Sequence, residues 1–334
     1  MSVKDVAKIA GVSPSTVSSV FTGNQKVSVA TAERVRDAAK QLGYYPNHIA
    51  RSLRYGMNNT IAAIIDDLRS PSLMSVLSGI EDTAFNRKFI VFTANTNQKD
   101  TKEDYYIRSV MGHKVAGVLL EPTGSNISLY EELNHYVPTV LIDRTFPELA
   151  ISSVTPDHER GAQLGTNHLA EHGHKKIGII TGPLNLTPGS QRLKGFLEAA
   201  RTLGILTEDR FIKSGPSTRE FGYQATKSLV ERNKDMTALY ATTSSLTVGA
   251  IQGLFEMGIH IPNQIAFVGS GSFELASLVK PAITSVVYDF YSMGAIATKF
   301  LFLLIDEPSV RENFQNFVVP PRLEVRQSCG CNAL

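Results

Sequence analysis

An α/β chain is predicted: a small three-helix head followed by a larger, two-lobed body built on parallel sheets. Three observations predict it. Residues 1–60 show helix-length apolar spacing punctuated by Gly and Pro, and carry eight Lys/Arg against three acids, a net +5 within a chain whose total is only +2. From Thr60 onward, short β-branched apolar runs alternate with helix-length stretches, the pattern of parallel strands joined by crossover helices. Finally, 43% of the 334 residues are hydrophobic, which is enough core for two or three domains and excludes wholesale disorder.

In the head, Ser2 with Asp5 three residues later opens a first helix, in which Val6, Ile9 and Ala10 recur at helical spacing and which Gly11 ends. Ser13 caps a second helix, and Pro14 takes its first position, where a missing N–H costs nothing. Val17, Val20 and Phe21 form one face of this helix, Ser15, Thr16 and Ser19 the other, and Gly23 closes it. Ser28 caps a third, with Val35, Ala38, Ala39 and Leu42 at three-to-four spacing and Gly43 as its stop. Two short helices joined by a Gly-containing turn and packed on a third make a helix-turn-helix, whose second helix lies in the DNA major groove with its first residues at base edges. Short hydroxyl side chains suit that place, because they let the backbone approach and bond to bases or phosphates. The basic charge suits the same polyanion. Next, YYPNHIARSLRYG (44–56) is broken by Pro46 and offers Asn47 as a cap. It is too short to be stable alone and is expected to order on meeting a partner. The expected organisation is therefore a head at 1–45, a linker at 46–58 and a body at 59–334.

Strands are expected at 60–66, 89–95, 116–122, 139–143, 176–182, 238–243, 264–270 and 283–289, in two successive sets that imply two similar lobes with a cleft between them. Ligands of such sheets bind beyond the carboxyl ends of the strands. Those ends are Asp66-Asp67 with Ser70 to Leu73, Asn95, Glu121, Asp143-Arg144, Gly182 with the loop to Arg192, Thr242 to Ser245, and Ser270 to Ser272.

VKDVAKIAGVSPSTVS, VS near residue 27 and LGYYPNHIARSL together resemble the head of the lactose-repressor (LacI/GalR) family of bacterial transcription regulators. The body shares the resemblance in NHLAEHGHKKIGIITGP, QRLKGF, LTVGAIQGLFEMGIHIPNQIAFVG and PAITSVV. It implies a periplasmic-binding-protein-like effector body, double-stranded operator DNA as partner, a homodimer on a near-palindromic site, repression, and a small-molecule effector that shifts operator affinity. It also implies DNA-binding roles for Ser15, Thr16, Ser19, Asn24, Asn47, Ala50, Leu53 and Arg54, with 46–58 as a hinge helix and Leu53 as a minor-groove wedge. Where the family often has a long side chain, this chain has Ser19, so its operator preference is expected to differ.

By the same resemblance, Ser72, Leu73, Asp143, Arg192, Thr243, Ser244 and Gly271 are the effector-binding candidates, with Asp157 also retained. Four departures stand out. Thr243-Ser244 replaces an Asn-Asp pair, Gly271 replaces a ligand-gripping carboxylate, and Ser72 and Leu73 replace aromatics. Losing acids while keeping Arg192 opens the pocket to an anion such as a sugar phosphate or carboxylate. Hydroxyls and water standing in for the lost groups would instead retain a neutral sugar, and regulation by a protein partner is the third reading.

His168 and His172 are four apart on a helix, with His174 following, a spacing that can serve a metal. Family members show His at the first and last of these positions without one, so no metal and no cofactor are expected. Cys329-Gly330-Cys331 could chelate, but a reduced, mobile tail is expected instead. GSGS at 269–272 lacks the lysine of a phosphate loop, and neither a nucleophile elbow nor HExxH occurs. A sugar- or nucleotide-modifying enzyme rests on fold analogy alone and leaves the basic head unexplained. With two cysteines, no 18-residue apolar run and no basic-then-apolar N-terminus, the expected setting is the cytoplasm, on the nucleoid and not at a membrane. The chain stops soon after RQSCGCNAL without leucine heptads, which fits a dimer.

Overall fold

The computed structural model describes residues 1–21, 27–45, 59–271 and 274–331. The chain divides into two compact units, Met1–Asn58 and Asn59–Leu334.

The first unit contains helices α1 (Val3–Ala10), α2 (Pro14–Phe21) and α3 (Val29–Gln41). The Asp5 carboxylate accepts from the Ser2 backbone N–H at 2.7 Å, and Gly11 ends α1 at φ +66°. Ser13 Oγ accepts from Thr16 N at 3.1 Å and Ser28 Oγ from Thr31 N at 3.3 Å, so both expected caps form. Such caps contribute typically about 1 kcal/mol each. Val6, Ala7, Ala10, Val17, Val20, Val35, Ala38 and Ala39 make a small core. Ala7, not Ile9, completes the inner face of α1; Ile9 is exposed.

The second unit holds two six-stranded sheets. In the first, β1 (Thr60–Ile65), β2 (Ile90–Asn95), β3 (Gly117–Leu120), β4 (Thr139–Ile142), β5 (Ser153–Pro156) and β11 (Asn316–Val319) run in the order β11-β5-β4-β3-β1-β2, all parallel. The second contains β6 (Ile177–Thr181), β7 (Ile212–Ser214), β8 (Ala238–Ala241), β9 (Ala266–Ser270), β10 (Thr284–Val287) and β12 (Arg322–Glu324), ordered β12-β10-β9-β8-β6-β7. Five strands of each sheet thus follow one topology, with the order reversing between β1 and β3 and again between β6 and β8.

Helices α4 (Pro71–Asn86), α5 (Asp100–Gly112) and α6 (Ile127–Tyr136) cover the first sheet; α7 (His158–Glu171), α8 (Thr187–Leu203), α9 (Arg219–Arg232) and α10 (Ser244–Glu256) cover the second. Alternate residues of one strand feed opposite cores. Ile61 and Ala63 pack with Val76 and Ile80, while Ala62 and Ile64 pack with Ile107 and Leu129.

Three expectations need correction. The lobes are not two successive halves: after β10 the chain returns to the first lobe as α11 (Phe290–Asp306) and β11, then crosses back for β12. Nor is every neighbour parallel, since β12 runs antiparallel to β10 at the edge. The expected mobile cysteine tail is also corrected. Ser328 is buried, its N–H donates to Ala282 O at 2.9 Å, and its carbonyl accepts from Phe267 N at 2.7 Å. Cys329 is fully buried in the second lobe. Among the described residues, no helix is long and apolar enough to cross a membrane.

Candidate functional site

In the first unit, Ser15 is exposed at the start of α2, and Thr16 and Ser19 are half-buried beside it. Ser13 Oγ lies 2.7 Å from Ser15 Oγ and 2.8 Å from Thr16 Oγ1, so the capping hydroxyl links the two candidates into one hydrogen-bonded chain at the helix start. Ser18, by contrast, donates inward to the Pro14 carbonyl at 3.1 Å. Lys4, Lys8, Arg34, Arg36 and Lys40 are all exposed on this unit. Asn24, Asn47, Ala50, Leu53 and Arg54 lie outside the described residues, as do Gly23, which was to end α2, and Ser272.

In the second unit, Ser72, Leu73, Asp143, Arg192, Thr243, Ser244 and Gly271 all line one cleft between the lobes. The ends of β1 and β3 bring Asp66 and Glu121 there; the ends of β6 and β8 bring Gly182 and Thr242. These are the two points where strand order reverses, and a crevice opens at such a switch point because the chain leaves neighbouring strand ends in opposite directions. The cavity volume is about 130 Å³. Ser72 Oγ of the first lobe lies 3.1 Å from Ser244 Oγ of the second, a direct bond across the cleft.

The substituted positions fit one another. Gly271 sits at φ +91°, and a β-carbon there would collide with Ser244 Oγ. The glycine and the serine are therefore a matched pair, since a carboxylate-bearing residue at 271 would displace Ser244. Thr243 is used as the cap of α10, accepting from Leu246 N at 3.2 Å, and Leu73 belongs mainly to the first-lobe core. Asp157, a retained family residue, caps α7 by accepting from Arg160 N at 2.9 Å.

The charges sort into two groups. Arg144 is buried and spoken for. It pairs with Asp66, lies 3.6 Å from Glu121 and donates to Pro122 O at 2.9 Å. Burial pushes the Glu121 carboxyl well up, Arg144 opposes this, and the Asp66 and Asp143 charges push it further. The second group faces the cleft. Asp143 sits at φ +65° in a tight turn closed by Arg144 N to Ile142 O at 2.7 Å. Burial raises its pKa, but the combined pull of His158, Arg192 and Arg144 prevails and holds the carboxyl well below the usual range. His158 Nε2 is 3.2 Å from Asp143 Oδ1 but off the line of a good hydrogen bond, and burial, reinforced by Arg192, lowers its pKa against the opposing charge of Asp143. Arg192 makes no hydrogen bond or ion pair among the described residues, and the buried Thr242 hydroxyl finds no partner among them. The cleft therefore presents an ionised acid, a guanidinium and hydroxyls with bonding capacity to spare.

Sequence reasoning missed Tyr288 and His158. Tyr288 follows β10, whose end was not read as a candidate, and its hydroxyl donates to Asp157 O at 3.4 Å. His158 follows the retained Asp157, and that position was the available signal.

Comparison with known proteins gives the context. Residues 2–47 match the family described as bacterial regulatory proteins, lacI family, and residues 166–329 match a periplasmic binding protein-like domain. Catabolite control protein A of Priestia megaterium is 31% identical over 330 residues, covering 98% of this chain and 99% of that protein. The ribose operon repressor of Escherichia coli (strain K12) is 31% identical over 329 residues, again 98% and 99%. The structure of a transcriptional regulator CelR–cellobiose complex is 28% identical with a TM-score of 0.75, covering 98% of this chain and 99% of that one. With matches that span both units from end to end, this chain belongs to the lacI family of bacterial regulatory proteins.

Proposed function

We propose that this chain represses transcription as a homodimer on a near-palindromic operator, and that a neutral polyhydroxylated molecule of the sugar class, bound between the lobes, sets its operator affinity. The observation that carries the ligand reading is the pairing of Asp143 and Arg192 in one cleft, each with free bonding capacity. A carboxylate and a guanidinium are the acceptor and donor that pairs of sugar hydroxyls use best. An anion would meet the ionised Asp143, and Arg144, the other nearby cation, is already committed to Asp66 and Glu121. The cellobiose-bound relative agrees with this reading.

The parts divide as follows. The head, 1–45, reads bases through Ser15, Thr16 and Ser19; the linker, 46–58, serves as the hinge; the body, 59–334, binds ligand and dimerises. One head covers one half-site, so a two-fold dimer matches a palindrome. At about 130 Å³ the cleft is well below the roughly 300–1,000 Å³ of ordinary ligand pockets. A sugar must therefore part the Ser72–Ser244 bond, and this changes the angle between the lobes. A preference of about 1–3 kcal/mol for one lobe angle is enough to shift operator affinity. The protein acts in the cytoplasm, at the DNA it regulates. An enzyme reading is not supported, since the family is one of regulators.

The test selects an operator from random DNA, then measures its release or retention by fluorescence anisotropy with neutral sugars and with sugar phosphates. A neutral sugar is expected to change operator affinity by at least fivefold, and Asp143→Asn to abolish that response while leaving operator affinity unchanged. A response confined to the phosphorylated compounds overturns the neutral-ligand reading.

A further inference from the structure

The second lobe gathers four soft ligands at the far end of α7, away from the cleft. His168, on that helix, and His172, which caps it, have ring centroids 4.6 Å apart. The segment after β12 folds onto the same surface. Ser328 anchors it, with its hydroxyl donating to Phe267 O at 2.6 Å and accepting from Thr284 N at 2.9 Å. Gly330, at φ +84°, turns the chain so that Cys331 doubles back on Cys329. The result is a cluster. Cys331 Sγ is 2.8 Å from Cys329 Sγ, 3.3 Å from His168 Nε2 and 2.8 Å from His172 Nε2. The ligand atoms of His168, Cys329 and Cys331 all lie within 4.8 Å of one another.

The surroundings prepare these atoms for a cation. His172 Nδ1 lies 2.7 Å from the His168 carbonyl oxygen, which can only accept. The ring proton is therefore on Nδ1, and the Nε2 lone pair points at the cluster, the arrangement that outer hydrogen bonds impose on ligating histidines. Thr284 Oγ1 donates to Cys329 Sγ at 3.1 Å, which holds that sulfur in place. No carboxylate takes part, so the donor set is wrong for calcium or magnesium. Two thiolates and two imidazoles suit a borderline-soft, tetrahedral ion.

We propose that His168, His172, Cys329 and Cys331 form a tetrahedral site for a divalent cation of the zinc class, which fastens the C-terminal segment to α7. With metal–sulfur bonds of about 2.3 Å, the two sulfurs stand roughly 3.8 Å apart in such a site, so the pair opens by about 1 Å on binding. Cys331, half-exposed beyond the turn at Gly330, is free to make that movement, and the exposed His172 ring, whose Nε2 touches Cys331 Sγ but falls outside the mutually close group of three, closes in as the fourth ligand. The sequence hid this site because its halves are more than 150 residues apart and meet only when β12 returns to the second sheet.

The experiment uses the full chain without a histidine tag, reduced and stripped with a chelator, and titrates it with Co²⁺ as a spectroscopic probe and then with Zn²⁺. One Co²⁺ per chain is expected, with the strong sulfur-to-cobalt charge-transfer absorption and visible bands of a tetrahedral thiolate site, displaced by one equivalent of Zn²⁺. Cys331→Ser should cut the charge-transfer intensity by about half, and His172→Gln should weaken Co²⁺ binding at least tenfold, in the range seen for altered metal shells. His172 is exposed, so its variant keeps the fold and remains informative if Cys331→Ser does not. The proposal is overturned if the reduced protein gives no such absorption. It is equally overturned if both variants retain the absorption, or if a mass two hydrogens short shows a Cys329–Cys331 disulfide persisting under thiol.

Discussion

Asp143 combines an uncommon backbone with an uncommon neighbour. A φ of +65° is costly for a residue with a β-carbon, and Asp is among those that tolerate it because its short side chain can bond locally. The turn closed by Arg144 N aims the carboxylate into the cleft beside His158. His158 is wholly buried, and burial, with Arg192 adding to it, takes its pKa below the usual 6.5. In the unfolded chain the imidazole gains a proton as pH falls through 6.5; in the folded chain it does so only at lower pH. The stabilisation from the neutral ring is thus complete above 6.5 and is lost as pH drops toward the folded value, at up to about 1.4 kcal/mol per pH unit. Urea unfolding at several pH values should show His158→Gln losing less stability than the parent between about pH 7.5 and 5, the interval around an ordinary imidazole pKa. Parallel curves would mean that the folded protein protonates His158 freely.

At the scale of elements, close helix contact depends on glycine. Gly79 on α4 and Gly294 on α11 let the two helices touch backbone to backbone: a β-carbon at Gly294 would collide with the Val76 carbonyl oxygen, and one at Gly79 with that of Tyr291. Gly294→Val should therefore push the helices apart and lower stability by about 1–3 kcal/mol, the usual range for overpacking, as measured by chemical denaturation. A loss below about 0.5 kcal/mol, the level of an indifferent surface change, would show that the helices part without strain.

The same contrast explains what the sequence disclosed. The strands β1, β2, β3, β4, β6, β8, β9 and β10 are apolar runs flanked by turn residues, and their periodicity made them readable. The strands β5, β7, β11 and β12 are short and mix in polar residues, as in SVTP, IKS or RLE, so no continuous apolar run announces them, and β7, β11 and β12 stand at sheet edges. The helix caps at Ser13 and Ser28 were legible because a cap is local. The cleft residues were legible through strand ends and family likeness, whereas the match between Gly271 and Ser244, or between Cys331 and His172, is a tertiary fact that no local pattern carries.

For the molecule as a whole, the outer edge of the first sheet is the feature that bears on assembly. β2 is its terminal strand, and Ile90 and Phe92 are each 60% exposed there. Phe85, 72% exposed, and Met74, 48%, stand eleven residues apart on α4, three helical turns, and so share one outward face of the same lobe. An isolated exposed apolar side chain means little, but a group on adjoining elements marks an interaction surface. A partner copy of this chain, related by a two-fold axis, would cover it and place two heads on one operator. A charge at the centre of such a face is costly to desolvate and cannot be paired by its own symmetry mate. Phe92→Asp should therefore yield a monomer by sedimentation equilibrium, with the melting of the body little changed because Phe92 touches solvent, not core. Operator affinity should fall by about 10²–10⁴-fold, the advantage that linking two binding modules ordinarily provides. A variant that remains dimeric, or a monomer that grips the full operator as tightly as the parent, would show that two-headed binding is built on a different face.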